Sequence, residues 1–196
     1  MEPDGNVSIE VVTNDNKKQM KKIIYNIMFC AIAGIVNAQV SIGGKLNVDG
    51  ASTLLDFNSI SSNTNGIILP AVDDTANALN SVTSDNNGTF LFDKSNNRVR
   101  MYENSTWVNL SDQGVSSSIV PNASDESNSN SGVIVGAETS NAKGVFILEA
   151  SDKAMILPKI ANPHLTVKSP YPGMLCYDTV GRAIAVFDGN VWSYWK

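Results

Sequence analysis

"PGMLCYDTVGRAIAVFDGNVWSYW", residues 172–195, is an apolar run, a turn, a second apolar run and an aromatic close. Set beneath "NGTFLFDKSNNRVRMYENSTWVNL", residues 87–110, it repeats the same order of residue types at a constant offset of 85 residues. Gly88 meets Gly173, Phe92 meets Tyr177 and Asp93 meets Asp178. Tyr102 then meets Phe187, and Trp107 meets Trp192. Each copy reads as a β-hairpin, because short runs of alternating apolar character flank a cluster of turn formers. Period-2 parity puts Phe90 and Phe92 on one face, matched by Leu175 and Tyr177; Val99 and Met101 share a face, matched by Ile184 and Val186. In the second turn, "DTVG", Gly181 is the residue expected to take a positive φ.

Working outward, "IILPAV" (67–72) precedes the first hairpin and "MILPKI" (155–160) the second, with Leu69-Pro70 meeting Leu157-Pro158 at an offset of 88 residues. Proline has no N–H to give to a ladder, so Pro70 and Pro158 mark strand ends or edges. Further back, "VSIGG" (40–44) parallels "VIVGA" (133–137), and "TLLDF" (53–57) parallels "VFILEA" (145–150). Helical periodicity is weak, with at most a short turn of helix in "AVDDTANALNSV" (71–82). The expected fold is all-β: β module 1 over 39–110, a Ser/Asn-rich flexible linker over 111–131, and β module 2 over 132–196.

The chain has 196 residues, 42% hydrophobic, with a formal net charge of -5. An acidic protein without clustered Lys and Arg does not bind nucleic acid through phosphate neutralisation. The one basic run, Lys17 to Lys22, precedes the apolar stretch Ile23 to Val36 and the small-residue step Val36-Asn37-Ala38. Those three parts make a secretory signal peptide over 20–38, cleaved after Ala38, and the apolar run is short for a membrane span. The polar residues 1–19 are read as an upstream extension, with Met20 as the start of translation. Cys30 lies in the leader, which leaves Cys176 alone and without a disulfide partner in the mature chain.

The phrases "VSIGG", "TLLDF", "NGIILP" and "MYENSTWVNL" in the first copy resemble a repeat module of secreted surface proteins of Bacteroidetes-type bacteria. So do "ILPK" (156–159), "PYPGMLCYDT" (170–179) and "VFDGNVWSYW" (186–195) in the second. The first copy has "DNNGTFLFDK" where that module carries a proline. The resemblance implies an adhesin-like or tail-fibre-like surface protein that assembles with itself, a trimer being favoured.

Candidate chemistry is sparse. "DKSNN" (93–97) spaces Asp93, Ser95 and Asn97 like the start of a calcium loop, but Arg98 and Asn104 stand where that loop needs Gly and Glu. His164 and Cys176 are the only mature imidazole and thiol; Cys176 aligns with Leu91, an apolar packing position. No metal, cofactor or catalytic role is expected. Trp107 and Trp192 recur at the same place in both copies and are expected in the core. Tyr194 and Trp195 have no aromatic counterpart and lie on opposite faces, so one of them is the expected exposed aromatic. The function expected is structural or adhesive at the cell surface, with other surface proteins as partners. A carbohydrate-binding module using Tyr194 or Trp195 is the alternative, and a secreted enzyme a remoter one.

Overall fold

The computed structural model describes residues 16–25, 39–78, 84–120, 132–142 and 144–196. It divides into two compact units, Met1–Asn37 and Ala38–Lys196. In the first, residues 16–25 form a helix, α1, and most of the apolar stretch 23–36, read above as part of a signal peptide, lies outside the described residues. No helix among the described residues is long and apolar enough to cross a membrane. The second unit is all-β, with fourteen short strands in four sheets among its described residues.

Two of these sheets carry the hairpins. The first joins β4 (Ala71–Val72), β5 (Phe90–Asp93), β6 (Arg98–Glu103) and β7 (Thr106–Asn109). Its counterpart joins β11 (Lys159–Ile160), β12 (Met174–Asp178), β13 (Ala183–Phe187) and β14 (Trp192–Trp195). In both, the leading strand is parallel to the next and the rest are antiparallel. The registers correspond residue by residue: Ala71↔Phe92 becomes Lys159↔Tyr177, Phe90↔Met101 becomes Leu175↔Val186, and Tyr102↔Trp107 becomes Phe187↔Trp192. Gly88 and Gly173 both hold positive φ, 88° and 83°, and their N–H groups donate at 2.8 Å to the carbonyls of Tyr102 and Phe187. A side chain is strained in that backbone region, which is why glycine stands at both places.

Pro70 and Pro158 each lie just before a leading strand, and their carbonyls accept from Phe92 (2.8 Å) and Tyr177 (2.9 Å). The proline lacks a donor, but its acceptor still joins the ladder. The strand before each Leu-Pro then goes a different way. β3 (Ile67–Ile68) pairs with β12, while β10 (Ala154–Met155) pairs with β2 (Thr53–Phe57), itself parallel to β1 (Val40–Ile42). The two halves are thereby interleaved, each lending a strand to a sheet centred on the other. The remaining pair, β8 (Val133–Val135) with β9 (Phe146–Leu148), is parallel like β1 with β2. Its register differs by two residues, since Ile42 meets Phe57 but Val135 meets Leu148.

The main core draws on both hairpin sheets: Leu69, Phe92, Val99 and Leu110 cluster with Leu175 and Val186, and Phe90, Met101, Ile119 and Leu157 pack around them. A second cluster of Ile160, Met174, Cys176, Ala185 and Phe187 fills the opposite face of the second sheet. Residues 111–120, the start of the segment read as a linker, run past both sheets. The Gly114 N–H donates to Asn97 (2.8 Å), that of Val115 to Asp188 (2.9 Å), and that of Val120 to the Tyr171 hydroxyl (3.0 Å). Residues 121–131 lie outside the described residues.

The hairpin turns correct one expectation. The positive φ falls on Arg182 (53°) and its counterpart Asn97 (50°), not on Gly181. Gly181 is instead required by a close approach, because a Cβ there would sit 2.6 Å from the Asp178 carboxylate. Arginine gains nothing local in the left-handed region, so Arg182→Gly is expected to stabilise the fold by about 0.5 kcal/mol. A rise of about 1–2 °C in Tm is the corresponding calorimetric readout. Gly181→Ala should lower Tm, since the new methyl meets the carboxylate.

Candidate interaction site on the second sheet

The turn carboxylates come first, because they decide where charge is free. Asp93 is fully buried at the end of β5 and accepts from the Ser95 N–H (3.0 Å), the Ser95 hydroxyl (2.6 Å) and Asn96 Nδ2 (2.8 Å). Ser95 binds Oδ1, and the Arg100 guanidinium joins Asn96 on Oδ2 at 2.9 Å. Burial pushes the carboxyl up, but the bonds from Ser95, Asn96 and Arg100 outweigh it and hold Asp93 below the ordinary value of 3.8. The calcium-like spacing is thus a turn whose carboxylate already holds a cation.

Its counterpart Asp178 uses backbone alone. Asn162 N–H (3.1 Å) and Val180 N–H (3.0 Å) reach Oδ1. Burial raises this carboxyl too, and the amides of Gly181, Val180 and Asn162 override it to bring it below 3.8. Asp188 opens the last turn in the same manner, accepting from the N–H groups of Asn190 and Val191 at 2.8 Å each. In all three, the carboxylate bonds to the backbone two residues on, the local geometry that makes Asp a turn former.

A fourth buried carboxylate, Asp56 on β2, takes Lys45 Nζ (2.5 Å) and the Asp49 N–H (2.8 Å), with Lys45 also paired to Asp49. Burial opposes its charge, yet these bonds draw the Asp56 carboxyl below 3.8. Sequence reasoning passed over this pair. Lys45 and Asp56 lie in separate phrases, and nothing local marks them as partners.

The thiol and imidazole do not form a nucleophilic pair. Cys176 is fully buried within β12, and burial, helped by the charge of Asp178, pushes it up to about 12. That is the opposite of the lowered pKa that makes a thiolate reactive. His164, on the short helix Pro163–Thr166, is exposed, and its Nδ1 lies 3.0 Å from the Tyr194 hydroxyl. The two rings meet edge-on, 6.2 Å apart. Desolvation raises the Tyr194 phenol, with Asp178 and Cys176 contributing. Tyr194 and Cys176 lie on one cross-strand row through Ala185, which explains why a group at the sheet's edge senses a buried thiol.

The aromatics divide into two kinds. Trp107 and Trp192 are half-buried, each packed on its cross-strand neighbour: Tyr102–Trp107 at 5.2 Å and Phe187–Trp192 at 5.4 Å. Tyr194 and Trp195 are both exposed, at 40% and 45%. Trp195 Nε1 donates to the Leu110 carbonyl at 2.5 Å, which fixes one edge of the indole although nearly half of the residue is exposed. Trp195 ends a row that runs from Lys159 through Tyr177 and Ile184, all paired across the sheet. The sequence singled out Trp195 and left Tyr177 and Ile184 unmarked. The signal available was Tyr at the register position where the first sheet has Phe92, since a phenol in place of a phenyl favours a surface that reaches water.

Elsewhere a cleft of 380 Å³ is lined by Asp85, Thr139, Asn141, Ala142 and Glu149. Its wall is polar, and the Glu149 carboxylate is engaged by the Ser140 hydroxyl. Among the described residues no group of three or more His, Cys, Asp or Glu side chains is gathered to hold a metal. The arrangement with the clearest chemical character is therefore the exposed aromatic and aliphatic row at the end of the chain. No family model, curated protein or solved structure matches this chain.

Proposed function

We propose that the protein is a secreted structural or adhesive surface module, built from a duplicated β unit and acting through assembly and attachment rather than catalysis. The observation that carries this reading is the residue-by-residue correspondence of register between the two hairpin sheets. A repeated unit that lends strands to its neighbour is a way of building a shaft or head. The groups best suited to chemistry have structural tasks: Asp93, Asp178 and Asp188 fix turns, and Cys176 packs inside a sheet. Export follows from the Lys-rich start and the small-residue step before Gln39. The partners are further copies of this chain, as a trimer, or other surface proteins.

Light scattering across a concentration series, together with an attachment and biofilm assay on a deletion strain, tests the proposal. The expected result is a mass above that of one chain, weakened attachment on deletion, and secreted protein beginning at Gln39. A strictly monomeric protein whose loss leaves attachment unchanged would overturn it. The exposure of Tyr194 and Trp195 supports a second reading as a sugar-binding module, because aromatic rings that reach water suit pyranose rings. Glycan-array binding by the wild type, lost in Trp195→Ala, is the result that would favour it.

A further inference from the structure

Gly66-Ile67-Ile68-Leu69 and Ala154-Met155-Ile156-Leu157 correspond position by position at the offset of 88 residues. They dock on different partners: the first runs antiparallel to the start of β12, and the second runs parallel to β2. Both phrases have the same apolar pattern, so patterning does not make the choice. The first position does. A Cβ on Gly66 would stand 2.7 Å from the Leu175 carbonyl oxygen and 2.9 Å from Met174 Cε. The end of the methionine can swing aside, but the carbonyl belongs to a backbone paired on both sides and leaves no room for a methyl group. Ala154, at the corresponding place, is exposed, and its N–H donates to the Ser52 carbonyl at 2.9 Å. β2 therefore accepts the methyl that β12 refuses.

The rest of the first phrase is held as a peptide ligand is held. Ile67 and Leu69 pack in the main core, and the Leu69 N–H donates to the Gly173 carbonyl at 3.0 Å. Ile68 between them is 48% exposed. Upstream, Asn63 Nδ2 reaches the Lys159 carbonyl at 3.3 Å, so the segment also closes on the leading strand β11. Main-chain bonds to a sheet edge with alternate side chains buried are the marks of strand addition. We infer that the edge of β12 from Gly173 to Leu175 is a recognition site for an extended peptide of the form Gly-apolar-any-Leu, and that Gly66 is the residue by which it selects the first phrase over the second. This rests on the duplicated-unit reading, because the two phrases are compared as copies. The site makes the joint between the halves asymmetric: the half with Gly66 presents the peptide and the half with Gly173 receives it. A polypeptide bearing the same phrase is the class of partner that fits this edge.

The test uses the full chain carrying Gly66→Ala, read by hydrogen exchange and by the anisotropy of a labelled peptide of residues 63–72. In the variant the Leu69 amide should lose protection by about 10-fold or more, because the added methyl drives the strand off the edge. The Tyr102 amide, bonded to the Thr89 carbonyl at 2.9 Å, should keep its protection. The peptide should then bind the variant at least about 10-fold more tightly than it binds wild type, whose own phrase fills the site. The same peptide carrying Gly66→Ala should bind at least about 10-fold more weakly than the unaltered one. Should Gly66→Ala not fold, Ile67→Ala loosens the strand without adding a methyl at the close approach and serves as the host for both peptides. Unchanged protection of Leu69 in Gly66→Ala overturns the steric selection. Equal binding of the two peptides overturns Gly66 as the selecting residue. A deprotected Leu69 with no binding of either peptide overturns the edge as a peptide site. These readouts do not depend on the mass of the wild type or on attachment, so this joint and the adhesive reading fail separately.

Discussion

Phe92→Ala is expected to destabilise the fold by about 3–5 kcal/mol, the range for emptying a fully buried aromatic site. Phe92 has no exposed surface and lies where both hairpin sheets contribute side chains, alongside Leu69, Val99, Leu110, Leu175 and Val186. Neighbours cannot collapse into the gap cheaply, because Gly173 holds a fixed positive φ beside it and a Cβ there would lie only 3.3 Å from that of Phe92. Against a total stability of roughly 5–15 kcal/mol, the loss is a large share. Tyr177→Ala, at the corresponding position of the second sheet, is expected to cost about 1 kcal/mol in the dissociated chain, since its ring is already part-wet. Chemical denaturation of both variants at low protein concentration measures the contrast. Equal losses would mean that the two positions are equally buried, contrary to the exposure of Tyr177.

That asymmetry was partly visible in the residues themselves. The hairpins, their parity and their offset follow from period-2 patterning, which is strong where strands are four to six residues long. Phe92 against Tyr177 and Leu110 against Trp195 are substitutions toward an aromatic with a polar edge, and Trp195 uses that edge to reach the Leu110 carbonyl. The exchange of β3 and β10 between the halves was not visible. Both are two-residue strands preceding the same Leu-Pro phrase, so no local pattern separates a strand that pairs with β12 from one that pairs with β2. Contacts across long loops were equally hidden: His164 reaches Tyr194 over 30 residues, and Lys45 reaches Asp56 over 11. Gly181 shows a further limit. Composition marks it as a turn glycine, but only the distance to the Asp178 carboxylate says why it is needed, and the unusual φ belongs to Arg182.

Arg100→Met is expected to cost about 3 kcal/mol near neutral pH, because it leaves the buried Asp93 carboxylate without its cation. The hydrogen bonds from Ser95 and Asn96 remain and keep the loss near the lower end of the range for a broken buried pair. The pH dependence separates this from a simple packing defect. In the wild type the folded Asp93 carboxyl lies below 3.8, so the unfolded chain binds the proton more readily. The stability this contributes is complete well above 3.8 and is lost as pH falls below that value toward the folded pKa. Asp56 and Asp178 shift in the same direction, and the three together should make the protein acid-labile below about pH 4. Without Arg100 one of the bonds that lower the Asp93 carboxyl is lost, so burial is less fully offset and acid weakens the variant less than it weakens the wild type. The stability gap between them should therefore narrow from pH 7 to pH 3. Asp93→Asn should narrow it likewise, since it removes the titrating group altogether. Asp178→Asn should cost less at pH 7, about 1–2 kcal/mol, because only neutral backbone donors lose a charged acceptor and no cation is stranded. Thermal melts of the wild type and these three variants at both pH values provide the measurement. A gap for Arg100→Met that stays constant with pH would mean that the guanidinium serves Asp93 by packing and not by charge.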